Sequence, residues 1–186
     1  MRLFVALEIP TEVRERLASL IRELRTSAPQ LKWVHTENMH LTLKFIGEAE
    51  PAKLDTIRSA LAAIRRQAAL ELRFRGLGFF PNDRRPRVFW AGIDAPPALA
   101  QLASDIDAGL ARLGFPREER SFAPHLTLAR LDGTRLPDAF RAATAERAAQ
   151  DFGALRITEF RLIESKLKST GAEYTTLQNF AFASES

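Results

Sequence analysis

The histidines limit the chemistry that this sequence can perform. The 186 residues include three histidines, His35, His40 and His125, and no cysteine. The absence of cysteine excludes disulfides, thiol nucleophiles, iron–sulfur clusters and thiolate zinc sites. His40 and His125 each open the same tetrapeptide, His-Leu-Thr-Leu, and lie 85 positions apart. Any catalysis must therefore use histidine, carboxylates, hydroxyls, lysine or arginine.

The residues around each tetrapeptide predict a β-strand, in which side chains alternate between two faces. His40 and Thr42 then share one face, as do His125 and Thr127, and the leucines occupy the other face. An imidazole with a pKa near 6.5 serves as acid or base at neutral pH, so two facing histidines can divide these roles. Each threonine hydroxyl can donate to a phosphate oxygen. This combination suits phosphoryl chemistry, which depends on positioning and charge stabilisation.

Two other interpretations of the histidines remain open. A single histidine on a half-buried strand is more often structural, and the matched threonines are what favour catalysis here. The pair could instead bind a metal ion, but it supplies only two of roughly three protein ligands of a catalytic zinc. A remote carboxylate would have to complete that site, so we predict neither metal nor cofactor. His35 lies outside the repeated tetrapeptides and is interpreted as a surface residue.

Several further residues are weaker candidates for the site. Arg130 is a candidate phosphate ligand, although strict alternation places it with the leucines unless the strand twists or ends there. Lys44 lies two positions after Thr42, so strict alternation places it on the same face as His40 and Thr42. Four aromatic residues could stack on a nucleobase, although each is more simply explained as core: Phe4, Phe89, Trp90 and Tyr174. The turn-rich loop with Arg84, Arg85 and Arg87 could follow an RNA backbone, but a solvated loop is the plainer interpretation.

An ungapped shift of the chain by 85 positions aligns more than the two tetrapeptides. It matches the following residues: Arg2 with Arg87, Phe4 with Phe89, Ala6 with Ala91, Leu17-Ala18-Ser19 with Leu102-Ala103-Ser104, and Ile21 with Ile106. Chance rarely keeps the register of a whole strand–helix–strand unit, so we interpret residues 2–48 and 87–133 as an internal repeat within one domain, 1–186. The predicted fold is α+β, with two pseudo-symmetric lobes of mostly antiparallel sheet packed by helices. We expect the histidines to line a central cleft between the lobes.

Hydrophobic periodicity and turn residues predict the elements that position these side chains. Strands are predicted at 2–8, 31–34, 39–46, 70–74, 88–93, 125–131, 155–167 and 173–182. Helices are predicted at 11–25, 51–67, 96–113 and 137–150. Gly76 and Gly78 are interpreted as a turn after the fourth strand, and 166–172 as the hairpin that joins the last two strands.

Composition adds weaker constraints. The net charge is +4, and 22 of the 27 basic residues are arginine, whose planar fork suits phosphate. Codon usage in a GC-rich genome explains this bias equally well. No stretch approaches the roughly 18 to 20 apolar residues of a membrane span, and Glu8 and Pro10 interrupt the apolar start before a signal sequence could form. We therefore predict a cytoplasmic monomer without a membrane partner.

The two tetrapeptides with their flanking residues resemble the two-histidine phosphoesterase superfamily. The similar segments cover nearly the whole chain: the opening Arg-Leu-Phe-Val-Ala-Leu, His-Leu-Thr-Leu-Lys-Phe-Ile-Gly, Arg-Val-Phe-Trp-Ala-Gly, Pro-His-Leu-Thr-Leu-Ala-Arg, and Glu-Ser-Lys-Leu with Tyr174. The similarity is greatest to the branch of RNA 2′,3′-cyclic phosphodiesterases, also called 2′-5′ RNA ligase-like.

The resemblance implies metal-independent hydrolysis of a terminal RNA 2′,3′-cyclic phosphate to a 2′-phosphomonoester. It also implies that His40 protonates the departing 3′ oxygen, that His125 activates water, and that Thr42 and Thr127 hold phosphate oxygens. Reversible 2′-5′ ligation would use the same site. The sequence alone cannot assign the acid and the base. Two other functions remain open: a phosphodiesterase for small nucleotides such as 2′-5′ oligoadenylates, and a non-catalytic RNA- or nucleotide-binding module.

Overall fold

Nine strands and four α-helices follow one another in the computed structural model, which describes residues 1–65, 68–169 and 171–183. Within these residues no helix has the length and apolar character that crossing a lipid bilayer requires. The elements in chain order are β1 (Arg2–Glu8), α1 (Thr11–Arg25), β2 (Lys32–Trp33), β3 (His40–Glu48), α2 (Leu54–Ala62), β4 (Leu70–Phe80), β5 (Val88–Asp94), α3 (Pro97–Ala111), β6 (His125–Arg130), α4 (Asp138–Glu146), β7 (Asp151–Ile157), β8 (Glu159–Lys168) and β9 (Gly171–Ala181).

The strands form two antiparallel sheets with matching arrangements. The first sheet has the order β3-β1-β8-β9, and the second has the order β2-β6-β5-β4-β7. The two strands that begin with a histidine have similar neighbours. Strand β3 pairs with β1, and α1 lies between them in the chain; strand β6 pairs with β5, and α3 lies between them in the chain. The predicted α+β fold with two mostly antiparallel sheets is confirmed.

One hydrophobic core lies between the sheets and the helices. Helix α1 follows β1 of the first sheet but packs against β7 of the second sheet. Helix α3 follows β5 of the second sheet but packs against β3 of the first sheet. Strands β3 and β6 are in contact, and the leucines of both tetrapeptides belong to the same core: Leu41, Leu43, Leu126 and Leu128. Because the leucines face inward, the histidines and threonines between them face away from the core.

Two strand predictions near the ends of the second sheet are wrong. The predicted turn at Gly76 and Gly78 lies inside β4, which continues to Phe80 because a register irregularity between Phe74 and Leu77 accommodates the extra residues. The single strand predicted at 155–167 is two strands, β7 and β8, in different sheets. The predicted helix 51–67 is a short 3-10 turn at Pro51–Lys53 followed by α2, and its predicted end at Gln67 lies outside the described residues.

The ungapped shift of 85 does not hold between β1 and β5. His40 lies opposite Glu8, whereas His125 lies opposite Gly92, so these partners are 84 positions apart. Phe4 consequently faces away from the main core, in a small cluster with Ala6, while Phe89 lies inside the main core. The identities at these strands are therefore not structural equivalences, and the internal duplication stays a prediction.

A buried ion pair connects β3 with α3 and with the segment that precedes β6. Lys44 on β3 is only 5% exposed, and its Nζ lies 2.7 Å from Asp107 Oδ1 on α3 and donates to the Pro116 carbonyl at 2.6 Å. Asp107 also accepts hydrogen bonds from Arg117 Nε and the Glu118 N–H, both at 3.0 Å. Burial opposes ionisation, but these hydrogen bonds outweigh it and lower the Asp107 pKa. The pair thereby fixes β3 to the segment that leads into His125.

We expect Asp107→Ala to lower the free energy of unfolding by about 3 kcal/mol, because Lys44 would remain as an uncompensated buried cation. The double variant Lys44→Met/Asp107→Leu should recover most of that loss, since apolar side chains replace both charges. Urea unfolding at neutral pH measures both changes. A single variant as stable as the wild type would contradict the importance of this ion pair.

Candidate active site

Both tetrapeptide histidines are held by the same local hydrogen bond. The Nδ1 of His40 lies 3.2 Å from the Asn38 carbonyl, and the Nδ1 of His125 lies 2.7 Å from the Ala123 carbonyl. A carbonyl only accepts hydrogen bonds, so Nδ1 must be the donor in each ring. The neutral imidazole therefore carries its proton on Nδ1 and leaves the Nε2 lone pair free. In both rings Nε2 is the nitrogen available to exchange a proton with a ligand.

The two threonines accompany their histidines on the outer face of the strands. Thr42 and Thr127 are half-buried between fully buried leucines, which agrees with the predicted alternation. Across the residues that the structure describes, neither hydroxyl has a protein hydrogen-bond partner. Both hydroxyls are therefore available to a bound group.

Aromatic side chains enclose His40. The Phe4 ring approaches it edge-on with centroids 6.0 Å apart, and the Tyr174 ring does so at 5.5 Å. Burial is the main cause that lowers the His40 pKa, and the positive charges of Arg14 and Arg161 add to it. The hydrogen bond to the Asn38 carbonyl and the charge of Glu8 act in the opposite direction without reversing the shift.

A different aromatic group lies beside His125. The Phe80 ring contacts His125 edge-on at 5.0 Å and Trp90 at 5.3 Å. The Trp90 indole covers Gly78, where a Cβ would lie only 2.2 Å from the nearest ring carbon. Phe80 is 37% exposed, so it is an accessible apolar surface next to His125.

A β-bulge in each histidine strand decides which cation faces outward. The register slips at Leu43 in β3 and at Leu128 in β6, so the residue after each of these leucines is also buried. The bulge turns Lys44 into the core, so its prediction as a site residue is wrong. The bulge at Leu128 in β6 returns Arg130 to the face of His125 and Thr127, where it is exposed.

A polar cavity of about 520 Å³ opens beside His40. Its lining includes Arg14, His35, Arg161 and Tyr174, but His125 does not line it. Arg161 is paired with Glu8 and Glu159, whereas Arg14 has no carboxylate partner in the described part of the chain and donates only to the Ile9 carbonyl at 3.2 Å. His35 is exposed, as predicted, but it lines this cavity, which the sequence did not indicate.

Sequence reasoning missed several residues around the two histidines. The sequence does not indicate Phe80, because the glycines of β4 resemble a turn and the alternation along β4 breaks between Phe74 and Leu77. Phe45 is 63% exposed and contacts Phe4, because the bulge at Leu43 turns it outward. Arg14 carried no sequence signal, since it reaches the cavity from a helix. Phe89 is fully buried in the main core, which confirms the simpler interpretation of that residue.

Metal-binding groups do not cluster in this region. Among residues 1–65, 68–169 and 171–183, no three histidine, cysteine, aspartate or glutamate side chains lie close enough together to hold a metal ion. The nearby carboxylate of Glu8 is instead paired with Arg161.

Comparison with known proteins identifies the family. The model of the LigT-like phosphoesterase family matches residues 7–90 and 93–174. The chain belongs to the LigT-like phosphoesterase family. A relative from Methanothermobacter thermautotrophicus, named RNA 2′,3′-cyclic phosphodiesterase, is 33% identical over 97% of this chain and 98% of its own length. A relative of the same name from Archaeoglobus fulgidus is 35% identical over 97% of this chain and 99% of its own length.

Solved structures of the family share the fold described above. E. coli LigT complexed with 3′-AMP superposes with a TM-score of 0.78 at 30% identity and covers 98% of both chains. The protein TT0787 of Thermus thermophilus superposes with a TM-score of 0.75 at 33% identity, again over 98% of both chains. The family and fold inferred from the two tetrapeptides are confirmed.

We expect Arg14→Met to raise the His40 pKa, because removal of a nearby positive charge favours the imidazolium. The limb of the pH–rate profile that depends on His40 should move to higher pH, while the other limb stays in place. The exposed Arg22→Met on the same helix is the control and should move neither limb. Unchanged limbs in Arg14→Met would contradict this electrostatic coupling.

We expect Gly78→Ala to displace the Trp90 indole, because the added methyl group would overlap the ring. The displaced ring would disturb Phe80 and His125, so turnover should fall at least about tenfold while the protein stays folded. Tryptophan fluorescence reports the displacement, and Trp33→Phe in both backgrounds isolates the Trp90 signal. Wild-type turnover together with an unshifted Trp90 spectrum would show that this contact does not position His125.

Proposed function

We propose that this protein hydrolyses the terminal 2′,3′-cyclic phosphate of RNA to a 2′-phosphomonoester. The observation that carries the proposal is the pair of histidines whose Nδ1 atoms are held by backbone carbonyls, each beside a threonine hydroxyl that has no hydrogen-bond partner among the described residues. This arrangement suits acid–base catalysis on a phosphodiester. The names of the relatives from M. thermautotrophicus and A. fulgidus support the same substrate.

The proposed reaction is one in-line displacement at phosphorus. A water oxygen forms the new P–O bond as one neutral Nε2 accepts a proton from that water. The bond between phosphorus and O3′ breaks as the other, protonated Nε2 donates its proton to O3′. The phosphate then remains on O2′, and the two histidines have exchanged protonation states. The family resemblance assigns the acid to His40 and the base to His125.

The remaining groups would stabilise the phosphate during this displacement. Thr42 and Thr127 would donate their hydroxyl protons to non-bridging oxygens, since neither donates elsewhere in the described part of the chain. Arg130 shares the outward face of Thr127 on β6 and is the candidate cation. A 5′-hydroxyl in place of the water would give a 2′-5′ linkage, which is the proposed ligation activity.

A second candidate function has a specific observation in its favour. The cavity beside His40 is polar, lies on one side of the histidine, and at about 520 Å³ could hold a single nucleoside. A small-nucleotide phosphodiesterase would need no more than this. Relative turnover of an RNA oligonucleotide and a mononucleotide, both ending in a cyclic phosphate, distinguishes the two functions.

The direct test is incubation of an RNA oligonucleotide ending in a 2′,3′-cyclic phosphate with the protein in EDTA, with the position of the product phosphate determined by NMR or chromatography. We expect a 2′-phosphate, with a rate reduced at least about 10³-fold in His40→Ala and in His125→Ala. His35→Ala is the matched control and should retain the acid–base chemistry.

Three results would contradict this function. Binding without turnover by the wild-type protein would favour a non-catalytic module. Activity lost in EDTA and restored by added metal would favour a metal site. A 3′-phosphate product would show that the opposite P–O bond breaks.

A further inference from the structure

We propose that a basic strip, formed by Lys32, Arg84 and Arg85 beside Arg130, binds the backbone phosphates of single-stranded RNA whose cyclic end lies at the histidines. The inference rests on the proposed function, which supplies the reacting end group. It adds the surface of the protein that binds the nucleotides preceding the cyclic end.

A pair of like charges within the second sheet is the first observation. Lys32 on β2 lies directly opposite Arg130 on β6, so both side chains are on one face, and both residues are exposed. In the described part of the chain neither has a carboxylate within ion-pair distance. Asp132, whose carboxylate feels the charge of Lys32, accepts its hydrogen bonds from Thr134. Like charges directly opposite destabilise a sheet, and a bound anion relieves that repulsion.

The hairpin loop between β4 and β5 supplies the other two cations. The Asn82 side-chain oxygen accepts hydrogen bonds from the N–H groups of Arg84 at 3.0 Å and Arg85 at 3.1 Å, which orders the loop. Both arginines are exposed and neither has an ion-pair partner within the described residues. The one acid of the loop, Asp83, lies 3.7 Å from Arg141 on α4 instead.

The connections of this loop place it beside the candidate site. It begins immediately after Phe80, whose ring contacts His125, and it ends at Val88, which lies opposite Arg130. The loop cations and the Lys32–Arg130 pair therefore belong to the same end of the second sheet. Phe80 is the accessible apolar surface between His125 and the loop.

The spacing along β6 matches an oligonucleotide. A strand rises about 3.3 Å per residue, so Lys32, which lies opposite Arg130, is on the order of 15 Å along the sheet from His125. A nucleotide whose only phosphate is at the histidines cannot also occupy the outer part of the strip. A single strand of several nucleotides can reach it, and arginine and lysine bind such phosphates through charge without reading sequence.

The test compares two substrates in three proteins. The substrates are an RNA octamer and a nucleoside monophosphate, each with a 2′,3′-cyclic phosphate. The proteins are the wild type, the strip variant Lys32→Ser/Arg84→Ser/Arg85→Ser, and a control variant of equal charge, Arg22→Ser/Arg25→Ser/Arg112→Ser, whose residues are exposed and lie on α1 and at the end of α3. Arg130 is left intact because it is a candidate ligand of the reacting phosphate.

We expect the strip variant to raise KM for the octamer at least about tenfold, with kcat and the mononucleotide kinetics unchanged. The slope of log KM against log salt for the octamer should fall by about 2, because three phosphate contacts are lost at about 0.7 each. The control variant should reproduce neither change. Equal effects in both variants, or equal effects on both substrates, would overturn the inference.

Failure of the proposed function would be recognised separately. If the wild-type protein turns over neither substrate, the proposed function fails. Binding of a fluorescent RNA octamer ending in a 3′-phosphate then still tests the strip. Weaker, less salt-dependent binding in the strip variant than in the control supports the strip, and equal binding overturns it.

Discussion

The contact between β3 and β6 is the constraint on which the rest of the structure depends. The leucines of both tetrapeptides are buried in one core that the two sheets share. Truncation of such leucines ordinarily costs about 2 to 5 kcal/mol each. Burial of the leucines determines that the histidines and threonines between them face outward, so core packing and the placement of the polar groups cannot be separated.

The two histidines have nearly identical local sequences but different surroundings. Phe4 and Tyr174 enclose His40 and lower its pKa through burial, whereas His125 lies beside the accessible Phe80 ring. Different environments give two titratable groups different pKa values, and the groups can then act as acid and as base. A lowered pKa makes the His40 imidazolium a stronger proton donor and also reduces its protonated fraction at neutral pH. This combination is compatible with His40 as the proposed acid and makes the rate sensitive to Arg14.

The sequence predicts the fold class and most elements because they depend on local periodicity. The five buried positions of α1 are those that the helical pattern indicates: Val13, Leu17, Leu20, Ile21 and Leu24. The errors arise where tertiary pairing overrides the local pattern. A bulge reverses the expected faces of Lys44 and Arg130, and β4 continues through glycines that resemble a turn.

Prediction from the sequence also fails for residues that reach the candidate site from distant parts of the chain. Alternation along β3 and β6 predicts that His40, Thr42, His125 and Thr127 face outward, and the structure agrees. Neither Arg14 beside His40 nor Lys32 opposite Arg130 follows from local sequence, because a helix and a separate edge strand supply them. Their roles, like those of the two histidines and threonines, remain proposals.

Backbone carbonyls hold both rings with Nε2 as the reactive nitrogen, and nitrogen-15 NMR of histidine-labelled protein tests this assignment directly. Only three rings contribute, so each can be assigned by single substitutions. At a pH where the rings are neutral, His40 and His125 should carry the proton on Nδ1. The exposed His35 should show the Nε2–H form that free imidazole side chains favour in water. Protonation of Nε2 in neutral His40 or His125 would contradict this assignment.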